Sequence, residues 1–159
     1  MDEVLRTGSI VMSRSGYSDD YDDGDSPLQL WRGAVDSAIC GQRGQAFLRD
    51  MLRALDALPE PALIKHELVT EQGEVCAMGA VALLRGADVS EVDETDPDTV
   101  ADVMGIASAL AKEIAYINDD DYGYEAGRDE TPQQRFQRVR MWVVANIHVQ
   151  PDELIETQP

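Results

Sequence analysis

The chain has 159 residues, 43% of them hydrophobic, and sets 13 Lys+Arg against 31 Asp+Glu for a formal net charge of −18. That length and apolar content suffice for one domain with its own core, while so large a negative charge opposes phosphate backbones and anionic lipid and favours cationic partners. No apolar run approaches the ~20 residues of a membrane span, and the N-terminus lacks a secretion signal, so the expectation is a soluble protein of the cytoplasm.

Residues 1–25 read as a flexible acidic lead-in. Ser13-Arg-Ser-Gly-Tyr-Ser-Asp-Asp-Tyr-Asp-Asp-Gly-Asp25 is polar and dense in like charge, so it buries too little to offset its ordering entropy. Its aspartates do not make a calcium loop. Counting back from Gly24 puts Tyr21 where an oxygen ligand belongs and Leu30 where a bidentate Glu belongs.

A helical domain is expected over residues 26–148. Ser26-Pro-Leu-Gln29 has the grammar of a helix start, with Ser26 as N-cap and Pro27 at the first helical position. Leu28, Trp31, Val35, Ala38 and Ile39 then share one face. Gly41 and Gly44 break the chain, with glycine available for positive φ. A second helix runs to Leu58 on a stripe of Phe47, Leu48, Met51, Leu52, Leu55 and Leu58, stopped by Pro59 and Pro61. The short linker predicts a helical hairpin.

Leu63, Ile64, Leu68 and Val69 suit a short strand that turns at Glu71-Gln-Gly73 into Glu74–Ala77. Val75, Met78, Val81, Ala82 and Arg85 suit a helix equally well, closed by Gly86. The expectation is a helix from about Cys76, with a small preceding hairpin left open. His66 beside Glu67 reads as a surface or half-buried histidine in preference to a general base or metal ligand, because no second His or Cys lies at ligand spacing. Cys40 and Cys76 match no metal spacing either and read as buried thiols.

The stretch 88–121 is the most informative. Pro97 to Tyr116 has the spacing of a helix-turn-helix: Ala101 at the helix contact, Gly105 at the turn, and Val100, Met104, Ile106, Ala111 and Ile114 between the helices. Asp96-Pro97 caps the first helix and Asp98 favours its dipole. The second, from Ile106 to about Ile117, turns Ile106, Leu110, Ile114 and Ile117 to one side. Its outward residues, Ala107, Ser108, Ala109, Lys112 and Glu113, hold no Arg, Asn or Gln for base readout. Acids flank the pair on both sides: Asp88, Glu91, Asp93, Glu94, Asp96, Asp98 and Asp102 before or within the first helix, and Asp119, Asp120 and Asp121 after the second. With Tyr122, Tyr124 and Glu125 of the following polar loop, these residues form the candidate binding face, since carboxylates beside aromatic rings can dock Lys and Arg.

Thr131-Pro-Gln-Gln134 is a capping box that starts the last helix, with Phe136, Val139, Trp142, Val143 and Ile147 as its buried stripe. Arg135, Arg138 and Arg140 are expected to pair with acids of neighbouring helices. Residues 149–159 read as an acidic tail.

No catalytic constellation emerges. Gly41 and Gly44 lack the Lys-Ser/Thr of a phosphate loop, no nucleophile elbow occurs, and abundant carboxylates are not acid–base chemistry unless one is held at a raised pKa. The expectation is no enzyme, no cofactor and no metal. The fold class is mainly α: a compact bundle of five or six helices with a helix-turn-helix-like pair.

Met12-Ser-Arg-Ser-Gly-Tyr-Ser-Asp-Asp20, Trp31-Arg-Gly-Ala, Gly44-Gln-Ala-Phe-Leu48, Gly73-Glu-Val-Cys-Ala77 and Arg138-Val-Arg-Met-Trp142 resemble a family of small uncharacterised acidic proteins encoded by bacteriophages and prophages. The resemblance spans roughly Met12 to Ile147 and implies a phage gene product acting inside a bacterium. Joined to the charge, it leads to an acidic, DNA-mimic-like inhibitor of a host nucleic-acid-binding protein, with an anti-defence role, a basic host surface as partner, and homodimerisation left open. A helix-turn-helix-like regulator acting with a partner and a structural or assembly accessory are the alternatives.

Overall fold

Local capping chemistry sets most of the helix boundaries. Asp96 accepts the Asp98 N–H at 3.1 Å ahead of Pro97. The Cys76 Sγ accepts the Gly79 N–H at 3.4 Å. Thr131 and Gln134 form the reciprocal capping box, with bonds of 3.1 and 2.9 Å. The computed structural model describes residue 14 and residues 25–119 and 130–149, with side chains described from residue 30 onward in α1. Among these residues the elements are α1 (Asp25–Cys40), α2 (Gln42–Asp56), α3 (Ala77–Arg85), α4 (Pro97–Met104), α5 (Ser108–Asp119) and α6 (Pro132–Asn146). The fold is mainly α.

Helix α5 is the hub. It packs against α1, α3, α4 and α6, while α2 packs against α1, α3 and α6. Leu110 and Ile114 of α5 meet a core that includes Phe47, Leu48, Met51 and Leu55 of α2, Val81 of α3, and Val139 and Val143 of α6, all essentially inaccessible to solvent. Burying each such side chain contributes about 1.5–3 kcal/mol of transfer free energy. In the α4–α5 corner, Gly105 adopts φ 72°, with the Ile106 N–H returning to Ala101 O at 3.0 Å. Val100, Ala101, Met104, Ile106, Ala111 and Ile114 are all buried in the core.

Five features differ from the sequence reading or sharpen it. The hairpin shrinks to one antiparallel bridge between Val69 and Val75, with its turn at Gly73 (φ 83°). Ahead of that bridge the chain leaves the ladder: Leu63 N–H donates to Pro132 O at 3.1 Å, and Ile64 N–H reaches Val75 O at 3.0 Å outside the register of the bridge. Neither Gly41 nor Gly44 is at positive φ; α2 starts at Gln42, and Gly44 is needed for close approach, because a Cβ there would lie 1.8 Å from Ala38 O. Helix α5 runs on through Asn118 and Asp119, both buried, where a polar loop was expected. Cys40 is exposed at the end of α1, while Cys76 is buried. Helix α1 itself begins at Asp25, one residue ahead of the expected cap.

Gly79 repeats the close-approach logic, since its Cβ would stand 1.8 Å from Leu68 O. Backbone oxygens cannot step aside as a flexible side chain can. Gly44→Ala and Gly79→Ala are each expected to cost about 2–3 kcal/mol, at the upper end of overpacking penalties, as a lowered urea midpoint at unchanged slope.

Candidate functional site

From Gly86 to Ala111 the sequence contains seven acids and no Lys or Arg. The structure makes that stretch a loop followed by α4 and the turn into α5. Asp88 accepts the Ser90 N–H at 2.9 Å and Asp93 the Thr95 N–H at 3.0 Å, each closing a small turn on itself. Asp96 caps α4 and also accepts the Thr99 hydroxyl at 2.7 Å. Asp98 accepts the Ser108 hydroxyl across the corner. Glu94 reaches inward to the Leu68 N–H at 2.6 Å, so it fixes the loop to the chain before α3. Glu91, Asp93, Asp98 and Asp102 are exposed. Hydroxyl and amide donors hold Asp88 below the usual carboxylate range, those of Ser90, and likewise Asp96, chiefly the Thr99 hydroxyl. These groups stay anionic well into mild acid.

The basic side chains are engaged elsewhere. Arg85 bridges to Asp50 at 2.9 Å, donates to Met104 O at 2.9 Å, and lies over the Phe47 ring with its centroid 5.3 Å away. Arg53 also pairs with Asp50. Arg140 pairs with Asp56 at 2.7 Å, and Arg138 with Glu130 at 2.6 Å. Of the α6 arginines, Arg140 meets an acid of a neighbouring helix as expected, Asp56 at the end of α2, whereas Arg135 and Arg138 pair with Glu130 just ahead of α6 itself. Arg138 further donates to the Ile117 carbonyl, placing a cation at the negative end of the α5 dipole. Arg135 is buried; it donates to Leu63 O at 2.9 Å, and its Nε lies 3.3 Å from Glu130 Oε1, in ion-pair range without hydrogen-bond geometry. Among the described residues, none of the seven acids between Gly86 and Ala111 forms an ion pair with a base.

Asp119 does not join them. It is 1% exposed, and Arg14 grips it through both carboxylate oxygens at 2.7 Å. The Asn118 amide adds a bond of 2.8 Å and the His66 N–H one of 3.2 Å. Asn118 itself accepts the Ala77 N–H at 3.1 Å and donates to Ile64 O at 2.9 Å. Arg14 Nη1 also faces the Cys76 Sγ at 3.6 Å. The predicted outward charge is therefore an inward one, because a carboxylate in the last turn of α5 opposes the helix dipole and is retained only against a buried cation. Burial pushes the Asp119 carboxyl up, but the Arg14 hydrogen bonds and charge, with Asn118 and the His66 amide, hold it below the usual range. Burial likewise disfavours the Arg14 charge, and the facing Cys76 sulfur together with Asp119 outweighs that. Arg14 was expected in a flexible lead-in; at this residue the chain is instead locked into the core.

Asp120, Asp121, Tyr122, Tyr124 and Glu125 lie outside the described residues, as do the remainder of the lead-in and most of the acidic tail. His66 keeps an exposed ring 3.8 Å from Asp119 and a left-handed backbone (φ 74°) that its N–H bond to Asp119 fixes. Comparison with protein-family models, curated proteins and solved structures finds no match. No helix among the described residues is long and apolar enough to cross a membrane.

The residues expected to face outward from α5 and the turn before it are partly or wholly covered. Glu113 is buried against Arg32 at 3.4 Å, Lys112 lies 5.2 Å from the Trp31 ring, and Ala107, Ser108 and Ala109 are half-buried. The inward roles of Arg14 and Asn118 have no counterpart in the sequence pattern around them. For Asp119 the available signal was an Asn-Asp pair ending an apolar helix, at the end where acids are disfavoured.

Removing one member of a buried pair leaves the other charged and unsolvated. Arg14→Ala and Asp119→Asn are each expected to lose about 3–5 kcal/mol in denaturant unfolding. Because the Asp119 pKa is depressed on folding, its contribution is complete above the unfolded carboxylate value of about 4 and is lost as pH falls through the folded value. Asp119→Asn should therefore flatten the acid limb of a stability–pH curve below about pH 4.

Proposed function

We propose that this is an acidic protein-binding domain whose loop and α4, from Asp88 to Asp102, engage the cationic surface of a nucleic-acid-binding protein. The phage resemblance supplies the setting, an inhibitor made inside a bacterium and directed at a host protein such as a defence nuclease. One observation carries the reading: the acids of this stretch are uncompensated while the arginines pair off elsewhere. A partner supplying Lys and Arg meets exposed charge for which no described internal cation competes, and complementary fields of this kind raise association rates most at low salt.

Burial of α5 weighs against the regulator reading, since a recognition helix must present side chains to base edges. In duplex shift assays at low salt the protein should retain no DNA.

Titration against basic bacterial nucleases across a salt series tests the proposal. Affinity should fall steeply as the Debye length shortens from about 10 Å at 0.1 M salt to about 3 Å at 1 M. The triple variant Glu91→Gln, Asp93→Asn, Asp102→Asn should weaken binding on the order of tenfold at low salt, from roughly 0.2–1 kcal/mol per exposed pair, and should also reduce the salt slope. Affinity indifferent to ionic strength would sink the idea.

A further inference from the structure

We propose that the groove between the α2–α3 connection and the start of α6 is a binding site for a peptide segment carrying an apolar side chain beside a lysine or arginine. It uses none of the residues of the acidic stretch.

The groove encloses about 470 Å³ and opens to solvent, a volume within the 300–1,000 Å³ of small-ligand sites. Leu58, Ile64, Val75 and Pro132 supply apolar lining, and Glu60 and Glu74 line it as well. Both glutamates are exposed, and among the described residues neither pairs with a base. The Gln72 and Gln133 carboxamides also line it, and each can donate to and accept from a peptide backbone. A lining that combines apolar, acidic and carboxamide residues matches an aliphatic side chain, a cation and a main chain, in that order.

The site is preformed. Leu63 N–H bonds to Pro132 O at 3.1 Å and Ile64 N–H to Val75 O at 3.0 Å, so two consecutive residues tie both walls to one segment. The turn that carries Glu74 is closed by Thr70 N–H to Glu74 O at 2.9 Å and Gly73 N–H to Thr70 O at 3.0 Å. A ligand entering it pays little to order the protein. A second copy of this chain is a poor occupant, because at a net charge of −18 it brings like charge to the groove's carboxylates.

Amide chemical shifts of the full chain, titrated with N-acetylated, C-amidated tetrapeptides, test the assignment. Leu-Arg-Leu-Lys should shift Ile64, Gly73 and Val75, whereas Leu-Glu-Leu-Glu and Ser-Arg-Ser-Lys should not. Glu60→Gln with Glu74→Gln should weaken that binding about fivefold, as two exposed ion pairs would. Ala62→Trp should fill the groove and abolish binding. Gln133→Lys, a change at an exposed site, should weaken it by repulsion if the tryptophan variant does not fold. The proposal is overturned if no peptide shifts these amides, if either control peptide binds as well, or if the foldable variants leave binding unchanged. Shifts that depend on protein concentration without peptide would assign the groove to a second copy and overturn it too. None of these variants touches residues 88–102, so the outcome is independent of the salt-series experiment.

Discussion

A carboxylate at the wrong end of a helix dictates much of this architecture. Asp119 occupies the last turn of α5, where the backbone dipole is negative, and it is almost fully enclosed. The penalty is met by Arg14 on both oxygens, while Arg138 relieves the same helix end by taking its carbonyl at Ile117. Once those cations are in place, Asn118 beside them organises its surroundings. It receives Ala77 N–H at the start of α3 and holds Ile64 O in the preceding connection. The start of one helix, the end of another and an irregular segment thus share one polar knot. Such a knot stabilises only when all its members are satisfied.

The charge economy of the surface follows from the interior. A chain with 31 acids and 13 Lys+Arg cannot neutralise every carboxylate. Geometry decides which are served. Arg85, Arg138 and Arg140 join helices to one another or to flanking chain, through Asp50, Glu130 and Asp56. Between α3 and α5, Asp88, Asp93, Asp96 and Asp98 accept from nearby N–H and hydroxyl donors, which fixes their positions without cancelling their charge. Placement without neutralisation is what a surface needs if it is to attract a cation from outside.

Much of the fold was legible because helix signals are local. Asp96-Pro97, Thr131-Pro-Gln-Gln134 and the glycines at 86 and 105 act within a few residues, and each marks its boundary in the structure. Apolar spacing likewise found the α4–α5 corner. The polar knot was not legible, because Arg14 and Asp119 are 105 residues apart and nothing in the run around either one names the other. An acid in a polar-looking run, Asn118 to Asp121, reads as solvated unless its partner is known. The small hairpin, which the sequence left open, amounts to the single bridge between Val69 and Val75, and Leu63 departs from it by giving its N–H to Pro132 O. For the acidic stretch, the absence of bases from Gly86 to Ala111 is a fact of sequence, and only the fold shows that no described arginine reaches it.

The wide separation of that buried pair bears on how the chain is made. At synthesis rates of about 5–20 residues per second, the guanidinium of Arg14 leaves the ribosome's active centre roughly 5–20 s before its counterion is added. Helices α1 to α4 are translated within that interval, ahead of the hub on which they pack, and α6 follows it. The cation is therefore unmatched until the end of α5 is made, and the core is not complete until α6 adds Val139 and Val143.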